Sequence, residues 1–205
     1  VDAGLSQAAP RVGLFGGSFD PVHDAHVALA RRALADLALD RVLWLPAGQP
    51  WQKTRRITDA EHRVAMLRLA IAGEPRFVLD LRETQRTGPS YTLDSVRELQ
   101  AELPQAHYVL IVGQDQAAGL PSWHGWQELL GRVQLAAAQR PGVALPLHPE
   151  VARAAPQAVM LPMMDISSTE VRRRVATGGD ITALVCADVA GYIARHHLYQ
   201  EPNGN

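Results

Sequence analysis

Along the chain, short apolar runs of strand length alternate with longer segments whose apolar residues recur every three or four positions. Val12, Leu14 and Phe15 make the first run, and Gly16-Gly17 is expected to end it in a sharp turn. Val27, Ala30, Leu34 and Leu37 then keep the helical period, which predicts an amphipathic helix over residues 24–38. Arg41–Leu45 reads as a strand closed by Pro46, so the first two strands are expected to be parallel neighbours joined by a helix. Thr58 and Glu61 have capping-box spacing, predicting a helix from about Asp59 to Gly73 with Val64, Leu67 and Ile71 inward. Arg76–Asp80 is the next strand, and a polar loop over residues 83–92 turns at Gly88-Pro89.

The pattern continues to the C-terminus. A helix buries Leu93, Val96, Leu99 and Leu103 and stops at Pro104, and His107–Val112 is the most strand-like run, expected to lie centrally and parallel. Trp123-His-Gly-Trp126 opens a short helix through Leu130, and Val133–Ala138 and Ala158–Leu161 read as strands around a Pro-rich surface connection over 141–156. Residues 185–196 predict a closing helix with Val189, Tyr192 and Ile193 packed. Strands alternating with helices imply an α/β fold: a Rossmann-like parallel sheet with helices on both faces and a small helical C-terminal element over about 166–200. Residues 1–10 read as a flexible N-terminal segment and 11–200 as one domain.

Composition narrows the function classes. With 47% hydrophobic residues in 205 the chain can bury a core, and 20 basic against 21 acidic residues argue against a general nucleic-acid or membrane surface. No apolar run approaches the roughly 18 residues of a membrane span, and residues 1–10 lack a signal-peptide core. A single cysteine, Cys186, rules out an intramolecular disulfide, and no Cys-x-x-Cys is present, so a reducing, cytoplasmic setting is expected. Nothing in the sequence points to a protein metal site or fixes an oligomeric state.

The polar residues with chemical potential fall at strand C-termini and helix N-termini, where ligands of parallel sheets gather. His23 and His26 stand three apart at the start of the first helix and so share a face, beside main-chain N–H groups suited to phosphate. In the loop after the second strand, Lys53 reads as a site residue, and Arg55 and Arg56 as solvated surface. Gly113-Gln114-Asp115 sits at the tip of the central strand. Trp126 reads as core and Trp123 as a stacking surface. Ser167 or Ser168 is a natural N-cap, and Arg172 follows Ser168 by one helical turn, which makes a second phosphate site; Arg173 and Arg174 read as solvated, and His196 and His197 as a frayed helix end.

The stretch Gly17-Ser-Phe-Asp-Pro-Val-His-Asp-Ala-His26 resembles the ATP-triphosphate loop of the nucleotidyltransferase superfamily. Ala25 stands where that family usually has glycine, and its methyl is expected to narrow the space for the nucleotide. With Gly88-Pro-Ser-Tyr-Thr92, Gly113-Gln-Asp115, Trp123-His-Gly-Trp126 and Ile166-Ser-Ser-Thr-Glu-Val-Arg172 in that order, the chain resembles the bacterial nicotinate mononucleotide adenylyltransferases over nearly its whole length after residue 10. The resemblance implies adenylyl transfer from ATP to nicotinate mononucleotide, with Mg²⁺ on the ATP phosphates, in NAD biosynthesis. It implies ATP contacts from Gly16, Gly17, Ser18, Phe19, His23, His26, Gly113, Asp115, Ile166, Ser167, Ser168 and Arg172, with the β- and γ-phosphates on Ser168 and Arg172. Ser90, Tyr91, Thr92, Trp123 and Lys53 would hold the mononucleotide, its ring at Thr92 and Trp123, and catalysis would fall to His23, His26, Lys53 and Arg172. Lys53 matches the lysine of a Pro-Pro-His-Lys loop that here reads Pro50-Trp-Gln-Lys53.

Overall fold

Successive side chains of a strand point to opposite faces, and in this chain both faces are apolar. Val12 and Leu14 of β1 (Arg11–Gly17) enter one layer and Phe15 the other; β2 (Arg41–Pro46) splits in the same way into Leu43 and Leu45 against Val42 and Trp44. β4 (His107–Val112) sends Leu110 and Val112 to the first layer and Val109 and Ile111 to the second. A sheet with two greasy faces must be covered twice, and it is. The computed structural model describes residues 9–48, 57–139, 146–160 and 164–200. The loop with Pro50, Trp51, Gln52, Lys53, Arg55 and Arg56 lies outside them, as does most of the N-terminal segment expected to be flexible.

Among the described residues six strands form one parallel sheet in the order β3-β2-β1-β4-β5-β6, with β3 at Phe77–Leu79, β5 at Gln134–Gln139 and β6 at Gln157–Met160. Leu14 lies opposite Leu43 on one side and Leu110 on the other, so β1 and β4 are central. One face packs α1 (Asp24–Asp36), α2 (Ala60–Ile71), α8 (Ser168–Ala176) and α9 (Ala187–Arg195); the other packs α4 (Thr92–Glu102), α5 (Gln114–Gly119), α6 (Trp126–Arg132) and α7 (Pro149–Arg153). The strand order reverses between β1 and β4, and crevices form at the carboxyl ends of strands where this happens. None of the described helices is long and apolar enough to cross a membrane.

Several local expectations shift. The N-cap of α2 is Asp59, not Thr58, whose carbonyl is taken by the Arg63 side chain. The loop after β3 contains a short helix, α3 (Arg82–Gln85), and α6 begins at Trp126, after a 3₁₀ turn over Leu120–Ser122. Leu103 is half-buried, just past the end of α4. His196 is not merely a frayed end, because its ring packs on Tyr192 at 4.1 Å and lies 5.2 Å from His62.

Candidate active site

Gly16 and Gly17 are the last two residues of β1, as expected, but they are still paired with Leu45 and Pro46 and make no sharp turn themselves. The bend comes two residues later, at Phe19, whose φ of 46° is left-handed, and the Asp20–Pro21 peptide that follows is cis. A side chain in that region costs about 1–2 kcal/mol, and ring burial offsets it. Phe19 is 2% exposed and packs against Phe15, Trp44 and His26, with centroids 5.1–5.5 Å away. The glycines serve by having no side chain: both line the cavity, and a β-carbon on Gly17 would press on the Phe19 ring at 3.1 Å.

The two histidines separate in role. His23 is the N-cap of α1 and His26 lies in its first turn, with the rings stacked 3.6 Å apart. The main-chain N–H of His23 donates to His26 Nδ1 at 3.2 Å, so neutral His26 carries its proton on Nε2. His26 lines the cavity and His23 does not. His23 is 8% exposed, its Nδ1 has no hydrogen-bond partner among the described residues, and burial lowers its pKa from 6.5 to about 4. It is therefore neutral near pH 7. Ala25 is half-buried and absent from the cavity lining.

The second predicted anchor reaches the same loop from the C-terminal side. Ser167 is the N-cap of α8, accepting from the Glu170 N–H at 3.1 Å, and Ser168 lines the cavity and donates to the Pro21 carbonyl at 2.9 Å. Arg172 donates to the Asp20 carbonyl and, at 3.1 Å, to Thr169 Oγ1. Tyr199 donates to Asp20 Oδ1 at 2.8 Å; burial first, and then the Asp20 charge, push its phenol well above the usual range. Ile166 packs against the core, and Arg173 and Arg174 pair with Glu170 at the surface, as solvated residues do. In this arrangement Ser168 and Arg172 brace the loop around Asp20, and only Ser168 also faces the cavity.

The cavity occupies about 390 Å³ at the crevice between β1 and β4, within the ~300–1,000 Å³ range usual for small-molecule sites. Its first wall is Gly16, Gly17, Ser18, Phe19, His26 and Ser168, and Gly113 lies at the tip of β4. Its other wall is Ser90, Tyr91, Thr92 and Trp123. His23, Ile166, Ser167 and Arg172 stay outside its lining, while the other described residues assigned from the sequence line it, with one exception. Asp115 does not join them; it is exposed on α5, and Gln116 takes its place. Lys53 lies outside the described residues.

Three polar lining residues were not anticipated. His124 stacks on Tyr91 at 4.3 Å, and its place between Trp123 and Gly125 was the available signal. Gln116 had only its nearness to Gly113. Glu83 is buried, accepts from Ser95 Oγ at 2.8 Å, and has its pKa raised by burial. Nothing in its polar surroundings distinguished it from surface. Arg86 ties this wall together by donating to Ser90 Oγ at 3.0 Å, Ser95 Oγ at 3.4 Å and Glu98 at 2.8 Å.

Comparison with known proteins agrees with this geometry. Residues 14–174 match the cytidylyltransferase-like family. A protein of Methylibium petroleiphilum named "Probable nicotinate-nucleotide adenylyltransferase" is 47% identical over 95% of this chain and 94% of its own. One of the same name from Albidiferax ferrireducens is 44% identical over 93% of this chain and 98% of its own. The Plasmodium falciparum nicotinic acid mononucleotide adenylyltransferase solved with NaAD superposes with a TM-score of 0.76 at 19% identity, covering 93% of this chain and 97% of that one, which shows a shared fold. The chain belongs to the cytidylyltransferase-like family and, within it, to the nicotinate-nucleotide adenylyltransferases.

Proposed function

We propose that the protein transfers the adenylyl group of ATP to nicotinate mononucleotide, giving nicotinate adenine dinucleotide and pyrophosphate in NAD biosynthesis. The observation that carries the reading is the two-walled cavity at the sheet's crevice. One wall offers glycines, a hydroxyl and an imidazole, and the other offers hydroxyls and aromatic rings. Triphosphate suits the first, and a pyridine ring with its ribose suits the second. A phosphate oxygen of the mononucleotide attacks the α-phosphorus, the bond from that phosphorus to the β-phosphate bridging oxygen breaks, and pyrophosphate leaves. A phosphate with a second pKa of about 6 is already ionised near neutrality, so no chain nucleophile or general base is needed. The protein's task is in-line alignment and relief of charge.

His26 supplies that relief through Nε2–H, its other nitrogen being committed to the His23 main chain. Ser18 and Ser168 belong to the same phosphate wall, and Gly113 and Gln116 lie toward the adenosine. Trp123 stacks on the nicotinate ring, and Thr92 at the start of α4 meets its carboxylate. Lys53 is assigned to the charge of pyrophosphate, and Arg172 holds the Asp20 loop beside the phosphate wall. Mg²⁺ enters with ATP as part of the substrate. The phosphate wall offers donors more than metal ligands, so ATP oxygens and water would hold the ion. The reaction is placed in the cytoplasm. The test is pyrophosphate release from purified protein, ATP and Mg²⁺ with nicotinate mononucleotide, nicotinamide mononucleotide or phosphopantetheine as acceptor. Turnover with the first well above the other two is expected; equal efficiency on the two mononucleotides would overturn the choice of acceptor.

A further inference from the structure

Arg63 lies on α2, 1% exposed, among residues that no reading of the reaction uses. Its guanidinium donates to three main-chain carbonyls on three different segments: Nε to Thr58 at 2.8 Å, Nη1 to Ser18 at 2.8 Å and Nη2 to Gly48 at 3.4 Å. The Asp20 carboxylate supplies the strongest attraction on this buried charge. Ser18 belongs to the phosphate wall of the cavity. Gly48 follows β2 and is seated so closely on α3 that a β-carbon there would collide with the carbonyl oxygen of Glu83. Glu83 in turn lines the opposite wall and is bonded to Ser95, which Arg86 links to Ser90. One planar cation therefore joins the two walls through an unbroken series of contacts.

We propose that Arg63 is a positioning residue that fixes the phosphate wall, at Ser18, in register with the acceptor wall, through Gly48 and Glu83. The inference rests on the two-substrate reading of the cavity given above. An in-line displacement is sensitive to the relative placement of its reactants, whereas each reactant binds mostly to its own wall. Loss of the fork should thus slow turnover more than it weakens either substrate. Lysine keeps the charge but presents its donors from one point and cannot span three divergent carbonyls.

The test uses Arg63→Lys, Arg63→Ala and Gly48→Ala, the last disturbing the same joint from its other side. Active sites are counted by calorimetric titration with a non-hydrolysable ATP analogue, and melting temperatures are recorded in parallel. The expected result is a fall of about 100-fold in kcat per titrated site, with each KM changed by less than about threefold. Added guanidinium ion should restore part of the kcat of Arg63→Ala, and Arg63→Lys should not recover the wild-type rate. Where the Arg63 variants fail to fold, Gly48→Ala carries the test alone. A lowered melting temperature with unchanged kcat per titrated site would make Arg63 structural only and overturn the proposal, as would a rise in KM with kcat intact. Wild-type protein that turns over no acceptor would overturn the reaction and this inference together; active wild type with unaffected variants overturns the inference alone.

Discussion

His23 exchanges proton affinity for packing. Above its unfolded pKa of 6.5, native and unfolded chains both hold a neutral ring. As pH falls toward about 4 the unfolded chain takes up a proton that the native chain refuses. Stability is therefore complete above pH 6.5 and declines through that window by about 3 kcal/mol in all, levelling out below the native pKa. His23→Asn should flatten this part of the profile: between about pH 7.5 and about pH 5 the wild type should lose about 2 kcal/mol more than the variant in denaturant melts. His26, one helical turn away, is expected to act on turnover. His26→Ala should lower kcat by about 100-fold, the usual loss for one donor to developing charge, and unchanged turnover would remove it from the mechanism. The sequence motif brought out both histidines, because spacing alone puts them on one face. It could not divide their roles, since burial is set by segments distant in the chain; next to His23, the Asp24 N–H donates to the Leu184 carbonyl. Arg63 left a fainter trace, standing four residues before Leu67 and eight before Ile71, and so on the stripe that α2 buries.

At the scale of elements, legibility follows length. β1, β2 and β4 were readable because two buried faces leave continuous apolar runs, and α1 and α4 because each keeps its period for three turns. α3 has four residues, too few for any period, and so the segment carrying Glu83 and Arg86 read as loop. The Trp123–Trp126 segment was legible as aromatic but not as a hinge between a 3₁₀ turn and α6. Gly125 makes that hinge with φ of 61°, and a β-carbon there would run into Leu93. Gly125→Ala should therefore cost about 1–3 kcal/mol by thermal or chemical melting, from left-handed backbone and overpacking together. Trp123→Ala spares the hinge and tests the ring: the KM for nicotinate mononucleotide should rise by an amount equivalent to about 1–3 kcal/mol, with that for ATP little changed.

Across the whole molecule, the position of the cavity follows from strand order, of which the sequence made readable the β1–β2 pair and the central place of β4. What the pattern could not convey is how far apart in the chain the cavity's braces lie. Asp20 accepts from Arg172 through its carbonyl and from Tyr199 through its carboxylate, 152 and 179 residues away. Tyr199→Phe leaves that buried carboxylate without one donor, and should lower stability by about 1.5–3 kcal/mol in melts and weaken ATP binding in titration. The same bond gives synthesis a direction. A ribosome makes the histidine loop 179 residues before its tyrosine brace, so the growing chain can pair its first strands long before that brace can close. The loop around Asp20 then gains this tie only after α9 and the turn beyond it have emerged.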